Sequence, residues 1–357
     1  MRRWIMLFLV IFLSPSVSAQ WWNSSWSYRI PMNVSNVGGE NLTNYSINFH
    51  FDTASFISAG RMKSDCSDVR MVDGPNQLSF WVESGCNSTG TSIWVKIPNL
   101  VSNSTSQIFL YYSNPNASSQ SSIQDSFFWG TSFESDEGFG FADGVGINGK
   151  DGWVSPSSHA GTVDQELSDT YARHGSLSLR IAGNLNSAER DLNIPANLVN
   201  VRMYTLVPLL GYNNQLEITT GNNGDLHNWY TTRIDYSPSD GHIIVTNGTT
   251  FIDVHTPPEE EVWNHINLTI DFNSKTHSGW IDGILRWKNF TFYKTNIESL
   301  NELSVLMNNY GIGYVDSIFI REFVLTEPAV SIGLSEGSQW TGIQLTNNWN
   351  LISLPIN

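Results

Sequence analysis

The spacing of short, strand-like segments constrains the fold of this 357-residue chain more than any other feature. Such segments recur roughly every 8 to 15 residues, with Gly, Asn, Ser or Pro between them, and helical periodicity is nearly absent. In residues 92–97, Ile93, Val95 and Ile97 alternate with other side chains and would share one face of a strand. The pattern predicts an all-β chain of the sandwich or barrel type.

A polar stretch rich in Ser and Asn, residues 113–125, separates two groups of predicted strands. The predicted strands are 28–34, 45–51, 69–72, 79–82, 92–97 and 107–112, and then 176–181, 201–207, 215–219, 230–236, 242–245, 263–270, 277–281, 304–307, 315–320 and 330–334. We therefore predict two consecutive β-sandwich, jelly-roll-like domains over 20–118 and 127–334, joined by a linker at 119–126. Residues 335–357 are predicted to be a second linker and the start of a further strand or truncated domain.

The first nineteen residues have the organisation of an export signal. Arg2 and Arg3 precede an apolar run over 4–13, and small residues end at Ala19, after which we predict cleavage. An uncleaved anchor is the alternative, but the run is roughly half of what a membrane-spanning helix needs. The chain is expected to be secreted or held at the cell surface, with membrane contact only through this signal or through an anchor beyond Asn357.

The charge balance argues against a nucleic-acid partner. The formal net charge is −15, and no cluster of Lys or Arg is present to attract a phosphate backbone. Only 14% of the residues are charged, so Asn, Ser, Thr and Gly carry most of the polarity. Glycans or other surface proteins are the partners that fit such a surface.

Ten Asn-x-Ser/Thr acceptors make glycosylation a prediction for an exported chain. Some of these acceptors would arise by chance in an Asn-rich sequence, and their use depends on a host with export-linked glycosylation. They are Asn23, Asn33, Asn41, Asn44, Asn87, Asn103, Asn116, Asn247, Asn267 and Asn289.

Cys66 and Cys86 are the only cysteines of the chain. An even pair in an exported protein predicts a disulfide. Two buried free thiols, or half of a metal site, are the alternatives, and no His or third Cys lies close enough in sequence to complete a zinc cluster.

Five segments of the first part share a pattern with a known family. The segments are WSYRIP at 26–31, CSDVR at 66–70, FWVESGCN at 80–87, IWVKIP at 93–98 and LYYSNP at 110–115. In this order they resemble the prokaryotic domain of unknown function 2341, found in exported archaeal and bacterial proteins. The family usually has Gly where this chain has Ser113. The resemblance implies a β-sandwich module without an established activity.

The second part resembles the concanavalin A-like or laminin G-like jelly roll. The segments that carry this resemblance are HGSLSLR at 174–180, WNHINL at 263–268, GWIDG at 279–283 and YVDSI at 314–318. A galactose-binding-like jelly roll is the close competitor. Folds of this kind host both lectins and glycosidases, so function has to be argued from the site.

The resemblance to a jelly roll implies a structural calcium ion. Jelly-roll modules often bind one through an early Glu and an Asp on the final strand, which here would be Glu134 and Asp316. The plainer alternative is an acidic surface loop and an Asp at a strand end, since calcium needs six to eight oxygen ligands.

No catalytic residue is predicted. A glycosidase needs two carboxylates across the sugar bond, and the nearest candidate, ESDE at 134–137, is followed by Gly138 and Phe139, which do not complete a jelly-roll glucanase pattern. The chain has no His-Glu-x-x-His and no phosphate-binding Gly-rich loop. We therefore expect no enzymatic activity.

Four tryptophans of the second part are candidate sugar platforms, because an indole face can stack on a sugar ring. They are Trp153, Trp229, Trp280 and Trp287. Packing in the core of the sandwich is the alternative for each of them.

These observations favour a non-enzymatic, secreted or cell-surface protein that binds carbohydrate or protein, as an adhesion-type envelope module does. A structural subunit of a surface layer or appendage is the second hypothesis. An extracellular glycoside hydrolase or lyase is the third.

Overall fold

The computed structural model describes residues 21–155, 165–208, 215–221, 230–237, 242–255, 259–308 and 311–338. Antiparallel strands dominate this part of the chain, so the predicted all-β fold class is confirmed. The predicted signal peptide at 1–19, Trp229 and the tail from 339 to 357 lie outside the described residues. Within those residues, no helix has the length and apolar character needed to cross a bilayer.

The first sandwich consists of two sheets, here called A and B, with a short helix, α1, at Thr53–Ser58. Sheet A contains β1 Tyr28–Asn36, β3 Arg70–Asp73, β4 Asn76–Leu78, β7 Ser104–Tyr112, β23 Ala329–Ile332 and β24 Glu336–Gly337, and sheet B contains β2 Leu42–Phe51, β5 Phe80–Ser84 and β6 Thr91–Leu100. Apolar side chains from both sheets form one buried cluster between them.

The second sandwich consists of sheets C and D, whose inner faces share a larger buried cluster. Sheet C contains β8 Trp129–Thr131, β10 Gln165–Ser168, β11 Ser178–Gly183, β13 Leu198–Leu206, β18 Asn264–Asp271, β19 Thr276–Ile281, β20 Ile284–Thr291 and β22 Gly311–Glu322. Sheet D contains β9 Trp153–Val154, β12 Asn186–Asp191, β14 Gln215–Thr220, β15 Thr232–Ser237, β16 His242–Asn247, β17 Thr250–His255 and β21 Glu302–Asn308.

Strand alternation explains which side chains face which layer. In β6, Ile93, Val95 and Ile97 point into the core of the first sandwich, as the sequence predicts. Trp94 lies on the opposite face of the same strand and is also buried, because the second sandwich covers that face. The strand is therefore buried on both faces at Trp94 and its neighbours Ile93 and Val95.

An aromatic junction holds the two sandwiches together. It consists of Trp81, Trp94, Ile123, Phe127 and Phe319. The rings of Phe127 and Phe319 stack with centroids 4.1 Å apart, and the rings of Trp81 and Trp94 contact both edge-on. Ile123 comes from α2 Ile123–Ser126, so the segment predicted to be a linker at 119–126 contributes a buried residue.

The chain returns to the first sandwich at its other end. β23, which the sequence analysis assigns to the second sandwich, pairs with β1 of sheet A, with Val330 opposite Val34. β24, in the segment predicted to be a linker, also pairs with β1, and Arg29 forms an ion pair with Glu336 at 2.8 Å. Strand periodicity identifies a strand but does not say which sheet it joins, and the assignment of residues 329–332 to the second sandwich was wrong for that reason.

Truncating the aromatic junction is expected to destabilise the protein strongly. Phe319→Ala would leave a cavity among buried rings and lower the free energy of unfolding by about 3–5 kcal/mol. Leu325→Ala is the control, since Leu325 is 87% exposed. Urea titration of both variants gives the comparison, and equal effects would contradict the role of the junction.

The structure joins Cys66 and Cys86 in the predicted disulfide, which closes a loop of 20 residues. Removing this bond with Cys66→Ala and Cys86→Ala together is expected to cost about 3 kcal/mol, because the unfolded chain regains the entropy of an open loop. Thermal unfolding of the oxidised protein, the reduced protein and the double variant tests this. The reduced protein and the double variant should agree, and unchanged stability in both would refute it.

Candidate functional site

The two predicted calcium ligands, Glu134 and Asp316, both accept hydrogen bonds from the backbone of one loop, residues 173–177. Glu134 Oε1 accepts hydrogen bonds from the backbone N–H groups of Ser176 and Leu177, both at 2.9 Å. Gly175 allows this approach, since it adopts φ +61° and a Cβ there would lie 2.3 Å from the Glu134 carboxyl carbon.

Asp316 acts on the preceding part of the same loop. Its Oδ2 accepts from the backbone N–H groups of Arg173 at 2.7 Å and His174 at 3.0 Å, and its Oδ1 accepts from the N–H of Ser317. Burial raises the pKa of Asp316, and these donors oppose the shift. Together, Glu134 and Asp316 fix residues 173–177 against sheet C.

These contacts do not favour calcium. N–H donors occupy oxygen atoms that a cation would need. The described part of the chain contains no group of three or more His, Cys, Asp or Glu side chains that could hold a metal. Calcium binding by Glu134 and Asp316 stays a prediction, and the structure gives both residues a different function.

The carboxylates of the ESDE segment close a turn. Glu137 accepts from the Thr131 hydroxyl, from the N–H and hydroxyl of Ser132, and from the N–H of Glu134. Burial raises the pKa of Glu137. With its oxygens used in this way, Glu137 stabilises the turn that leads into the second sandwich.

Two of the four candidate tryptophans are core residues, so the prediction that they bind ligand was wrong. Trp153 is 0% exposed and packs against Trp129 and Phe133. Trp287 is 3% exposed because its ring lies directly over Gly279, where a Cβ would come within 2.1 Å of it. In both cases burying the large apolar indole ring stabilises the fold more than leaving it exposed to solvent would.

Trp280 is the one described candidate that is partly exposed. It lines a cavity of about 630 Å³ on the outer side of sheet C with Leu285 and Leu325. Trp280 lies opposite Asn267, which is one of the glycosylation acceptors, and Asn289 lines the same cavity. Trp280 therefore stays a predicted contact for sugar.

The glycosylation acceptors differ in accessibility. Six are exposed: Asn41, Asn44, Asn87, Asn103, Asn116 and Asn289. Asn23, Asn33, Asn247 and Asn267 are half-buried, and Asn267 Oδ1 accepts a hydrogen bond from Asn200. Glycosylation stays a prediction, with the six exposed side chains the better acceptors.

A polar groove lies between the two sandwiches, where the outer face of sheet B meets the outer face of sheet C. We call it the inter-sandwich groove, and its volume is about 510 Å³. Its walls are formed by Ile47, Asn48, His50, Glu83, Ser92, Trp94, Arg173, Arg202, Tyr204, His265, Arg321, Glu327, Pro328 and Val330.

Arg202 occupies the sheet C wall. It lies on β13, where Val201 and Met203 point into the core, so that Arg202 and Tyr204 point outward. Its guanidinium lies over the rings of Trp94 at 5.1 Å and Phe319 at 5.9 Å. Within the described chain its guanidinium forms no hydrogen bond and no ion pair, and the Nε atom is buried without a partner.

A second stack lies beside Arg202. The guanidinium of Arg173 lies over the ring of Tyr204 at 4.6 Å, and the ring of His265 stacks on the same tyrosine with centroids 4.8 Å apart. The Nε2 atom of His265 is buried without a partner. Burial, together with the charge of Arg202, lowers the pKa of His265 to about 4, so this imidazole is neutral at pH 7.

The sheet B wall presents acceptors. Glu83 Oε2 accepts from the Ser92 hydroxyl at 2.8 Å and from the indole N–H of Trp94 at 2.9 Å. Asn48 donates to Ser92, and its carbonyl oxygen is buried without a partner.

Arg321 closes one end of the groove and connects the sandwiches. It donates to Glu327 Oε1 at 2.6 Å and to the hydroxyl of Tyr45, on β2 of the first sandwich, at 3.0 Å. The Tyr45 hydroxyl in turn donates to Glu327 at 2.7 Å. The charge of Arg321 is therefore already matched by Glu327.

A separate charged cluster lies on the outer face of sheet D. Arg233 pairs with Glu217 and Asp235, each at 2.7 Å, and Asn308 donates to Glu217. The two carboxylates are 0% and 1% exposed. Burial and the neighbouring Asp235 raise the pKa of Glu217 to about 8. The cluster is a buried network of one arginine and two carboxyl groups, in which the raised pKa keeps Glu217 protonated at neutral pH.

Solved structures similar to this chain are jelly-roll and sialidase-like proteins. A sialidase matches 63% of this chain at 11% identity with a TM-score of 0.40, and a Trypanosoma rangeli sialidase matches 45% at 10% identity with a TM-score of 0.36. The chain spans only 20% and 27% of their lengths. The carbohydrate-binding module CBM66 from Bacillus subtilis matches over 51% of this chain and 99% of its own length, at 8% identity and a TM-score of 0.33. At these values no function is transferred.

The family comparison concerns the first part of the chain. The model described as "Domain of unknown function (DUF2341)" matches residues 65–138, which contain four of the five segments that carry the resemblance. The resemblance is thus confirmed over that range. No curated protein matches the sequence.

Sequence reasoning missed the inter-sandwich groove because its residues come from both sandwiches, from Ile47 to Val330. The alternation of residues 199–204 could have placed Asn200, Arg202 and Tyr204 on one polar face of a strand. Nothing in the sequence indicates that sheet B covers that face.

The Glu217 cluster predicts a pH dependence of stability. Folded Glu217 holds its proton up to about pH 8, whereas the unfolded residue releases it near its ordinary 4.5. Unfolding therefore releases a proton between these values, and stability falls as the pH rises. Glu217→Gln should reduce that slope by up to about 1.4 kcal/mol per pH unit in urea titrations from pH 5 to 8. Glu298→Gln, an exposed control, should keep the wild-type slope, and an unchanged slope in Glu217→Gln would contradict the assignment.

Proposed function

We propose that this chain is a non-enzymatic binding module of a secreted or cell-surface protein and that its inter-sandwich groove binds carbohydrate. One observation carries the proposal: Arg202 Nε, His265 Nε2 and Asn48 Oδ1 are all buried in the groove walls without a hydrogen-bond partner. Each such atom costs about 1–3 kcal/mol if nothing satisfies it. A ligand rich in hydroxyl groups supplies both donors and acceptors to this mixed set.

The size and composition of the groove support the same class of ligand. A volume of about 510 Å³ lies within the usual range for small-molecule sites. Tyr204 is half-buried and its ring stacks with Arg173 and His265, while Arg202 and Glu83 supply charged hydrogen-bonding groups. A few polar groups held in fixed orientation are what recognition of a hydroxyl-rich ligand requires.

Export is part of the proposal. It is supported by the signal-like residues 1–19, by the disulfide between Cys66 and Cys86, and by the six exposed glycosylation acceptors. The partners proposed are glycans, or glycan-bearing surface proteins. No step of catalysis is assigned to the groove.

A glycan array tests the function. The purified full-length chain, with and without added calcium, is expected to bind a defined subset of sugars on an array of neutral and acidic glycans. Tyr204→Ala, which removes the ring that positions Arg173 and His265, is expected to weaken binding about tenfold. Calcium dependence would in addition support the predicted ion at Glu134 and Asp316.

Tyr293→Ala is the matched control, because Tyr293 is also half-buried and stacked, on Tyr230 at 4.5 Å, but does not line the groove. It should bind as the wild type does. Absence of binding to every glycan would overturn the proposal and leave the structural-subunit hypothesis. Equal losses in both tyrosine variants would remove the groove as the site.

A further inference from the structure

The positive and negative charges of the side chains that line the inter-sandwich groove do not sum to zero. Arg173, Arg202 and Arg321 face Glu83 and Glu327, which leaves one positive charge in a chain whose net charge is −15. Arg321 already has Glu327. The excess charge therefore belongs to Arg202 and Arg173, neither of which forms an ion pair within the described residues.

Aromatic rings hold these two guanidinium groups in place. Arg202 lies over Trp94 and Phe319, and Arg173 lies over Tyr204. Arg202 and Tyr204 are two residues apart on the same face of β13, a separation of about 6–7 Å. Arg173 is fixed through its backbone by Asp316. Because stacking uses the guanidinium faces, the N–H edges remain available to a ligand.

A buried arginine that has no ion-pair partner, as Arg202 is, is expected to favour binding of an anion. Burial lowers the pKa of Arg202, which means that its charge has lost water contacts without gaining an ion pair. A carboxylate matches the planar fork of a guanidinium and forms charge-assisted hydrogen bonds, about twice as strong as neutral ones. Glu83 and Glu327 on the same walls disfavour a ligand that carries several negative charges there.

We propose that the groove selects a sugar bearing a single carboxylate, which Arg202 and Arg173 bind together. This rests on the proposed function and goes further by naming the chemical class of the ligand. The hydroxyl groups of the sugar then satisfy His265, Asn48 and the sheet B wall.

Paired ligands test this. The probes are the monosaccharides galacturonic acid and glucuronic acid, together with sialyllactose, each carrying one carboxylate and each compared with its carboxyl-reduced counterpart by calorimetry. At least one acidic probe is expected to bind tenfold or more tightly than its reduced counterpart. Arg202→Gln and Arg173→Gln are each expected to weaken that acidic probe about 10- to 100-fold and to weaken the reduced counterpart much less.

The controls separate the possible failures. Arg61→Gln removes an exposed arginine that does not line the groove and should bind as the wild type does. Arg202→Lys keeps the charge but loses the planar fork, so an intermediate affinity is expected. Arg173 is exposed, so its variant should keep the wild-type unfolding temperature even if Arg202→Gln does not fold.

If the acidic and reduced probes bind equally and Tyr204→Ala weakens both, the carboxylate proposal is overturned and the proposal of carbohydrate binding stands. Selective binding of an acid that both arginine variants retain would also overturn it, because the site would lie elsewhere. No binding of any probe or array glycan would remove both proposals.

Discussion

The stacking of Phe127 on Phe319, 4.1 Å apart, is the contact on which the rest of the structure depends. Phe319 lies on β22, the long strand that also supplies Ile318 and Ile320 to the core of the second sandwich. One strand therefore joins the core to the junction. Trp94 reaches the same junction from β6 of the first sandwich. Because packed aromatic rings resist rotation, the two sandwiches keep one relative orientation, and the space left between them is a groove of fixed shape.

The groove and the junction share side chains, which links stability to binding. Trp94 and Phe319 pack in the junction and also carry the guanidinium of Arg202 on their outer side. The predicted calcium ligands Asp316 and Glu134 also shape the groove, because they hold the loop that places Arg173 over Tyr204. Two carboxylates that the sequence suggests as metal ligands thus position the arginine Arg173, and it is this arginine that lines the candidate site.

Most of the fold could be predicted from the sequence because strand alternation and turn residues are local signals. β6 and β13 lie within three residues of their predicted limits, and the predicted disulfide joins the only two cysteines, Cys66 and Cys86. β12, with the sequence NSAERD, was missed because polar residues mask a strand that is held between β21 and β9 by tertiary contacts. The groove was missed for a related reason: the burial of Trp94 and the exposure of Arg173 are decided by elements far away in the chain, which local patterns do not record.

The return of the chain to β1 has a consequence for biosynthesis. β1 begins at Tyr28, but one of its neighbours, β23, begins only at Ala329, some three hundred residues later. While the ribosome makes the intervening chain, that side of β1 has no native partner, and an open strand edge invites pairing with other polypeptides. The contact is also among the most distant in sequence that the fold contains, and such contacts close late. The N-terminal sheet is therefore completed last, after the second sandwich has emerged, so that a nascent chain interrupted before residue 329 carries an unfinished edge.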